Sequence, residues 1–308
     1  MSMASLSQRS YRKLRRIAAC DLAPASKLRY GLDLAAQSFL PFARRNTPGE
    51  TGYREYRMRG GTSVVLRENS TDGKVFEEIF VEDTYTPHAK AIARNAPIIL
   101  IDLGANIGLS AIALARELHP LAIVAVEPDR GAFAMLRENI RLAGLADQCA
   151  AMQAFAGVEK GFAELVDSGN GSWGMRMGAP ARKGIAVMPI EEILSTGEGM
   201  AQHAANLAPS LLRSAPAEPA ITVLKCDIEG AEAHLFRHMS QWEDRVHYVI
   251  LELHTEFLSA DEFHSCLDAS RYHWRIDGTI PAQGVLAVIV LERQGLKTVP
   301  QNRRAASS

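Results

Sequence analysis

The sequence has 308 residues, of which 47% are hydrophobic, so the chain is long enough to bury a substantial core. Its 34 Lys and Arg residues nearly balance 35 Asp and Glu residues, and the formal charge of -1 gives no global field that would attract nucleic acid. With four scattered cysteines and no apolar stretch near the roughly 18 residues of a membrane span, we predict a cytoplasmic protein without a transmembrane segment or a nucleic-acid partner.

The first segment, residues 1–52, is locally basic. Its first 45 residues contain nine Arg or Lys residues and only two acidic ones. No uninterrupted apolar region of a signal peptide is present, although an Arg-rich, acid-poor start is also typical of organellar transit peptides. We interpret the segment as a helical extension that packs on the main domain or on a second subunit, which leaves a homodimer as an alternative.

Regular elements are predicted directly after a Pro48-Gly49 break. Residues 53–66 alternate around a Gly60-Gly61 turn, which favours a small two-stranded β unit. The pattern then alternates between runs typical of strands, over 98–103, 122–126 and 151–155, and runs typical of helices, over 87–95, 110–118 and 131–142. Such βα repeats predict a parallel sheet with right-handed crossovers.

The second half of the domain carries two predicted insertions. A polar, glycine-rich β insertion is expected over 161–189, then a short helix over 190–194 and a loop or insertion over 195–219. The alternation resumes with strands over 221–226 and 248–253, helices over 231–239 and 260–269, and an antiparallel closing hairpin from 272–276 and 285–290. We therefore predict one domain over 53–294, followed by a disordered tail over 295–308.

A glycine-containing loop from Asp102 to Gly108 follows the first central strand, where open α/β sheets bind ligands. Gly104 and Gly108 lack Cβ atoms, so the backbone can approach a ligand closely. The spacing is G-x-x-x-G rather than the G-x-G-x-x-G of dinucleotide sites. Glu127 ends the next strand, where a carboxylate can accept hydrogen bonds from both ribose hydroxyls. Together these features indicate a nucleoside-containing cofactor.

Five blocks of sequence, residues 101–110, 126–129, 136–140, 225–232 and 251–254, together resemble the FkbM-type methyltransferase family. The Asp-Ile-Glu-Gly-Ala-Glu run that starts at Asp227 is the most specific of them. The resemblance extends from about residue 75 to residue 290. It implies a Rossmann-like class I methyltransferase fold, in which helices cover both faces of a mostly parallel seven-stranded sheet with an antiparallel last strand. It also implies S-adenosylmethionine as the cofactor and, usually, O-methylation of a hydroxyl.

The resemblance assigns cofactor contacts to the glycine loop and to the ends of the next two strands. These residues are Asp102, Gly104, Ala105, Asn106, Gly108, Glu127 and Ala156. Two positions depart from the family pattern. Cys226 precedes Asp227 where the family has an aliphatic or small residue, and residues 156–159 read Ala-Gly-Val-Glu where the family often has Ala-Val-Gly-Asp.

Methyl transfer from a sulfonium to oxygen is an in-line displacement that also needs a base for the hydroxyl proton. Asp227, at a strand end facing the same crevice, is our first candidate for binding or deprotonating the acceptor. Glu229 is a further catalytic candidate, although both it and Glu232 also suit the charge of a helix start. His254, at the next strand end, is a candidate base near neutral pH, with a structural, hydrogen-bonded histidine as the alternative.

Glu252, Trp173 and Tyr85 are predicted to line the acceptor pocket, with ordinary packing as the alternative for the two aromatic residues. Asp227, Glu252 and His254 could instead hold Mg²⁺, but no dedicated ligand spacing favours a metal, and we predict none.

We predict O-methylation of a hydroxyl on a glycan, a lipid or a secondary metabolite. Two other functions compete with this prediction. A nicotinamide-dependent oxidoreductase would use the same strand, loop and terminal acid, but the third glycine is missing. A non-catalytic protein of the same fold that binds a nucleoside cofactor is the other alternative, because fold does not determine function.

Overall fold

The computed structural model describes residues 13, 15–39, 52–92, 96–167, 175–207, 220–280 and 288–296. The strands are β1 (Tyr53–Arg57), β2 (Ser63–Arg67), β3 (Ile98–Leu103), β4 (Ala122–Val126), β5 (Cys149–Met152), β6 (Phe155–Gly157), β7 (Gly161–Asp167), β8 (Met175–Pro180), β9 (Ile185–Pro189), β10 (Ile221–Cys226), β11 (Tyr248–Glu252), β12 (Tyr272–Asp277) and β13 (Val288–Leu296). The α-helices are α1 (Pro24–Phe39), α2 (Asp72–Phe76), α3 (Thr86–Lys90), α4 (Leu109–Leu118), α5 (Arg130–Leu142), α6 (Ile190–Leu207), α7 (Glu232–Arg237) and α8 (Ala260–Ala269), with a π-helical turn at Glu77–Val81.

The centre of the fold is a seven-stranded sheet in the order β12-β13-β11-β10-β3-β4-β5. The five strands from β11 to β5 pair in parallel, whereas β13 is antiparallel to both of its neighbours. The predicted fold class, a mostly parallel seven-stranded sheet whose last strand is antiparallel, is therefore confirmed. Parallel pairing brings the carboxyl ends of β3, β4, β10 and β11 to one edge, where ligands of such folds bind.

Two apolar clusters cover the two faces of this sheet. The first joins one face to α4, α5 and the N-terminal elements, and the second joins the other face to α6, α7 and α8. Strand β3 is buried at all of its positions, so its apolar residues alternate between the two clusters. Burial on both faces explains why β3 reads as a continuous apolar run rather than as an alternating one.

The N-terminal extension packs on the domain near the π-helical turn. Lys13 Nζ lies 2.6 Å from Glu77 Oε1, and Arg16 Nη1 lies 2.5 Å from Glu82 Oε1. An isolated β-bridge also joins Leu22 to Met58, directly after β1. The basic residues of this extension thus pair with acidic residues of the domain's own first elements. No helix in the described part of the chain is long and apolar enough to cross a membrane.

A second, four-stranded sheet has the order β6-β9-β7-β8 and contains the segment predicted as a β insertion. The sequence predicted a helix that ends at residue 194 and is followed by a loop. This prediction is wrong for residues 195–207, because α6 continues to Leu207. Gly197 explains the error: a Cβ atom there would lie 2.8 Å from Ile99 Cγ2. This glycine permits close packing of the helix on the sheet, whereas in the sequence it looks like a loop residue. Residues 208–219 lie outside the described part.

Smaller differences occur near the C-terminus. The helix predicted over 231–239 is shorter, since α7 ends at Arg237 and a 3-10 turn follows at Met239–Gln241. The two strands of the predicted closing hairpin pair in antiparallel fashion as β12 and β13. Gly295 and Leu296, predicted to begin the disordered tail, still belong to β13. The rest of that tail lies outside the described residues.

Candidate active site

A cavity of about 730 Å³ lies at the carboxyl ends of β3, β4, β10 and β11, within the range of about 300–1,000 Å³ that is typical of small-molecule sites. Its lining falls into two parts. The loop end consists of residues 104–106, Glu127 and Ala156. The acidic end consists of Asp227, Glu229, Glu252 and His254. Most residues that the sequence singled out for binding and catalysis therefore share one cavity.

The loop end depends on a sharp reversal at Gly104, whose φ of 72° lies in the left-handed region. A Cβ atom there would lie 1.7 Å from the carbonyl oxygen of Asp227, so the approach of the loop to the end of β10 requires glycine. The N–H groups of Gly104 and Ala105 both donate to the Val126 carbonyl at 3.0 Å. These two N–H groups hold the loop against β4. Because both are already used in hydrogen bonds, a ligand would contact other atoms of the loop.

Glu127 faces the loop from the end of β4 and is only 6% exposed. Its Oε2 accepts the backbone N–H of Asn106 at 2.8 Å, and its Oε1 accepts that of Asp129 at 2.8 Å. Burial raises the pKa of Glu127 to about 7, although these two hydrogen bonds oppose the shift. Each oxygen retains capacity for a further bond, so the carboxylate can accept two neighbouring hydroxyls of a ligand.

Two residues predicted to bind the cofactor do not line the cavity as the structure describes it. Asp102 is fully buried, and its Oδ2 accepts the Ser110 hydroxyl at 2.6 Å. Gly108 begins α4 with a φ of 86°, and a Cβ atom there would lie 2.7 Å from Leu136 Cδ1. Both residues hold the loop and its helix in position, and the direct cofactor contacts predicted for Asp102 and Gly108 stay predictions.

Lys225 is a buried cation that joins the loop end to the acidic end. Its side chain is 2% exposed, and its Nζ lies 3.2 Å from Asp102 Oδ1 and 3.5 Å from Asp227 Oδ2. The same ammonium donates to the Gly104 carbonyl at 2.9 Å. Burial disfavours its charge, but the carboxylates around it, first that of Asp102, outweigh burial and raise the pKa of Lys225. Lys225 is therefore charged at neutral pH and ties the end of β10 to the end of β3 and the glycine loop.

Carboxylates converge at the acidic end. The charge of Asp227, followed by burial, raises the pKa of Glu252 to about 8. Burial, followed by the charge of Asp227, raises the pKa of Glu229 to about 7. Glu78 lines the same space from the π-helical turn, and burial together with Asp227 raises its pKa as well. Carboxyl groups that titrate near neutral pH are suited to proton transfer.

His254 lies beside these carboxylates, just beyond the end of β11, and is 4% exposed. Its Nδ1 lies 2.7 Å from Glu232 Oε1, and its Nε2 lies 3.7 Å from Glu229 Oε2. Burial alone would lower the pKa of His254, but the hydrogen bond and charge of Glu232 outweigh burial and raise it to about 9. Strand β11 ends at Glu252, so regular strand geometry does not place His254 beside Glu252. The turn after β11 brings the two side chains together.

The remaining predicted residues have different positions. Ala156 lines the loop end from β6. Tyr85 lines the cavity and donates through its hydroxyl to Glu252 Oε2 at 3.4 Å. Trp173 lies outside the described residues.

The residues that line the cavity but were given no role from the sequence include Ser110, Arg176 and Lys225. The signal for Lys225 was present, because it is the single charged residue in the apolar run 221–226. Arg176 comes from β8 in the second sheet, and its guanidinium lies 4.6 Å from the centre of the Phe257 ring. That contact joins distant parts of the chain and could not be read from local spacing.

Asp227, Glu252 and His254 were also the residues considered for Mg²⁺. One potential ligand atom from each of the three lies within 4.8 Å of the others. The cluster offers two oxygen ligands and one nitrogen, whereas Mg²⁺ prefers an octahedron of oxygen atoms. The geometry therefore permits a cation but is not specific to Mg²⁺.

Most residues of this site lie in a segment that matches a known protein family. The family model for the methyltransferase FkbM domain matches residues 102–273, which contain the glycine loop and the acidic end. No curated protein sequence matches the chain.

Among solved structures, methyltransferase FkbM from Methylobacillus flagellatus KT is similar at 17% identity with a TM-score of 0.41, and the match covers 68% of this chain and 48% of that one. This chain thus spans about half the length of that protein. The O-methyltransferase TomG from Streptomyces achromogenes, in complex with SAM, has 14% identity, a TM-score of 0.40 and coverage of 70% and 81%. An O-methyltransferase from Bacillus cereus, in complex with SAH, has 12% identity, a TM-score of 0.36 and coverage of 87% and 97%.

Proposed function

This chain belongs to the FkbM methyltransferase family, and on that premise we propose that it is an S-adenosylmethionine-dependent O-methyltransferase. The observation that carries the proposal is the cavity itself, which Glu127 and the glycine loop line together with Asp227, Glu229 and His254. One part suits a nucleoside, and the other suits removal of a proton. The acceptor we propose is a hydroxyl of a glycan, a lipid or a secondary metabolite.

The loop end fits the nucleoside part of S-adenosylmethionine. Glu127 offers two carboxylate oxygens to the ribose hydroxyls, while Ala105, Asn106 and Ala156 line the space beside it. The absence of a Cβ at Gly104 keeps the loop close to β10. When bound, S-adenosylmethionine would supply an electrophilic methyl group and be left as S-adenosylhomocysteine once the acceptor oxygen has taken that methyl.

The acidic end would bind and deprotonate the acceptor. In this proposal the acceptor hydroxyl donates to Asp227, which orients its oxygen toward the loop end. The hydroxyl proton then passes by way of the Asp227 carboxylate to the pair formed by Glu229 and His254, whose Oε2 and Nε2 lie 3.7 Å apart. Lys225 lies behind Asp227 at 3.5 Å and keeps that carboxylate in position. The step needs no metal, and we do not include Mg²⁺ in it.

We expect Glu127→Gln to weaken binding of S-adenosylmethionine by about 10- to 150-fold, because hydrogen bonds to a charged group contribute about 1.5–3 kcal/mol. The amide keeps the size of the side chain but removes its charge and one acceptor oxygen. Isothermal titration of the wild type and the variant measures the effect. Glu138→Gln, on α5 outside the cavity and with its side chain 43% exposed, is the matched control.

The same titration with a nicotinamide dinucleotide tests the alternative that the protein is a nicotinamide-dependent oxidoreductase. Equal binding of S-adenosylmethionine by the wild type and Glu127→Gln would contradict the role of Glu127. Tighter binding of the dinucleotide than of S-adenosylmethionine would contradict the proposed function.

The rate of methyl transfer is expected to rise as the pH increases from about 7 to about 9. These limits are the raised pKa values of Glu229, about 7, and of His254, about 9. A base acts in its deprotonated form, and a raised pKa means that this form accumulates only at higher pH. Transfer of label from methyl-labelled cofactor into an extract of the host measures the rate. Saturating cofactor is required, since Glu127 also titrates near pH 7. A rate that is constant across this interval would exclude Glu229 and His254 as the base.

A further inference from the structure

Glu232 stands at the start of α7, where an acidic residue ordinarily faces solvent and compensates the helix dipole. In this protein it is 0% exposed. Burying a carboxylate is costly unless it is paired and hydrogen-bonded, so its position calls for specific partners. Charge compensation at a helix start does not require that burial.

The partners of Glu232 all come from the active-site region. Its Oε1 accepts the backbone N–H of His254 at 3.2 Å and contacts His254 Nδ1 at 2.7 Å. Its Oε2 accepts the backbone N–H of Gly230 at 2.8 Å. A carboxylate that already accepts backbone N–H groups on both oxygens acts as an acceptor, so the proton of this contact lies on His254 Nδ1. Glu232 therefore holds both the backbone and the ring of His254.

This contact determines which ring nitrogen faces the cavity. Because Nδ1 is bound to Glu232, Nε2 is the atom directed toward Glu229 and the acidic end. The charged and titratable groups around His254 come from β8, from β10 and the segment after it, from α7 and from β11. They are Arg176, Lys225, Asp227, Glu229, Glu232 and Glu252. Among them, Glu232 makes the shortest contact with the ring and is the most deeply buried carboxylate.

We propose that Glu232 is a positioning residue for methyl transfer, which fixes His254 in the tautomer that presents Nε2 to the acceptor. This inference rests on the proposed function. In the step that follows, neutral His254 takes the acceptor proton on Nε2 while the acceptor oxygen forms its bond to the methyl carbon and the bond from that carbon to sulfur breaks. Glu232 keeps its negative charge throughout and stabilises the imidazolium, as a buried carboxylate does behind a catalytic histidine. The raised pKa of His254 agrees with this arrangement.

The test compares Glu232→Gln with Glu232→Asp and with a matched control, Glu243→Gln. Glu243 is also buried, but it binds Ser270 and Arg271 away from the cavity. We expect Glu232→Gln to lower kcat on the order of 10²-fold, because His254 is then no longer held as an effective general base, with little change in the Kd for S-adenosylmethionine. Glu232→Asp should recover part of kcat, and Glu243→Gln should retain it.

Nitrogen NMR of the histidine rings supplies a readout that does not depend on turnover, with His254 assigned by its absence from His254→Asn. The wild type should show a proton fixed on Nδ1, and Glu232→Gln should lose that signature. Wild-type kcat in Glu232→Gln, an unchanged His254 spectrum, or an equal loss of kcat in Glu243→Gln would each overturn the proposal. If the wild type transferred no methyl group at all, the proposed function would fail, while the spectra would still test the contact between Glu232 and His254.

Discussion

Lys225→Met is expected to lower the free energy of unfolding by about 3–5 kcal/mol, the cost of removing one partner from a buried ion pair. Methionine is unbranched like lysine and only one heavy atom shorter, so most of the packing of the aliphatic stem is kept. What is lost is the ammonium beside Asp102, whose carboxylate is 0% exposed and would be left without its cation. The bond to the Gly104 carbonyl is lost as well, and with it a tie between β10 and the glycine loop.

Denaturant unfolding of the wild type and the variant measures this loss. Lys160→Met is the matched control, because the Lys160 side chain is 74% exposed and its pair with Glu192 should contribute less than about 1 kcal/mol. Adding Asp102→Asn to Lys225→Met should recover part of the loss, since the double variant no longer buries an unpaired charge. If Lys225→Met cost no more than Lys160→Met, the ion pair would not stabilise the fold.

The central sheet could be predicted because its strands are short apolar runs separated by amphipathic helices. Strand β3 and helix α8 lie where the sequence predicted them, at 98–103 and 260–269. Helix α6 was misread because its glycine and small residues look like a loop in isolation. Only the sheet explains Gly197, which permits contact with Ile99, and a local pattern contains no information about that neighbour.

The candidate site likewise contains residues whose positions could be predicted from the sequence and contacts that could not. Gly104 and Glu127 follow strands, so their positions at the edge of the sheet could be predicted from order alone. The partners of Asp102, which are Ser110 and Lys225, are not apparent from the motif. The contact between Glu232 and His254 spans 22 residues and depends on how α7 meets the turn after β11. Contacts of that kind require the folded chain.

Asp227→Asn is expected to lower kcat on the order of 10²- to 10⁴-fold, the range for removing a group that assists proton transfer. Its carboxylate is the proposed acceptor of the substrate hydroxyl, and its charge is the first cause of the raised pKa of Glu252. Asparagine keeps the shape but not the charge, so the pKa of Glu252 should fall toward its ordinary value. Turnover of labelled cofactor measures kcat, and isothermal titration should give a Kd for S-adenosylmethionine close to that of the wild type.

Stability separates a chemical role for Asp227 from a structural one. Lys225 keeps Asp102 at 3.2 Å when Asp227 is neutralised, so Asp227→Asn should destabilise the fold far less than Lys225→Met. Asp147→Asn, at an exposed position in a 3-10 turn, is the control for the substitution itself. Unchanged kcat in Asp227→Asn would remove Asp227 from the mechanism. A large loss of kcat in a variant that still folds and binds the cofactor would mean that the charge at the end of β10 acts on the acceptor, because the cofactor, the fold and Lys225 would all be as in the wild type.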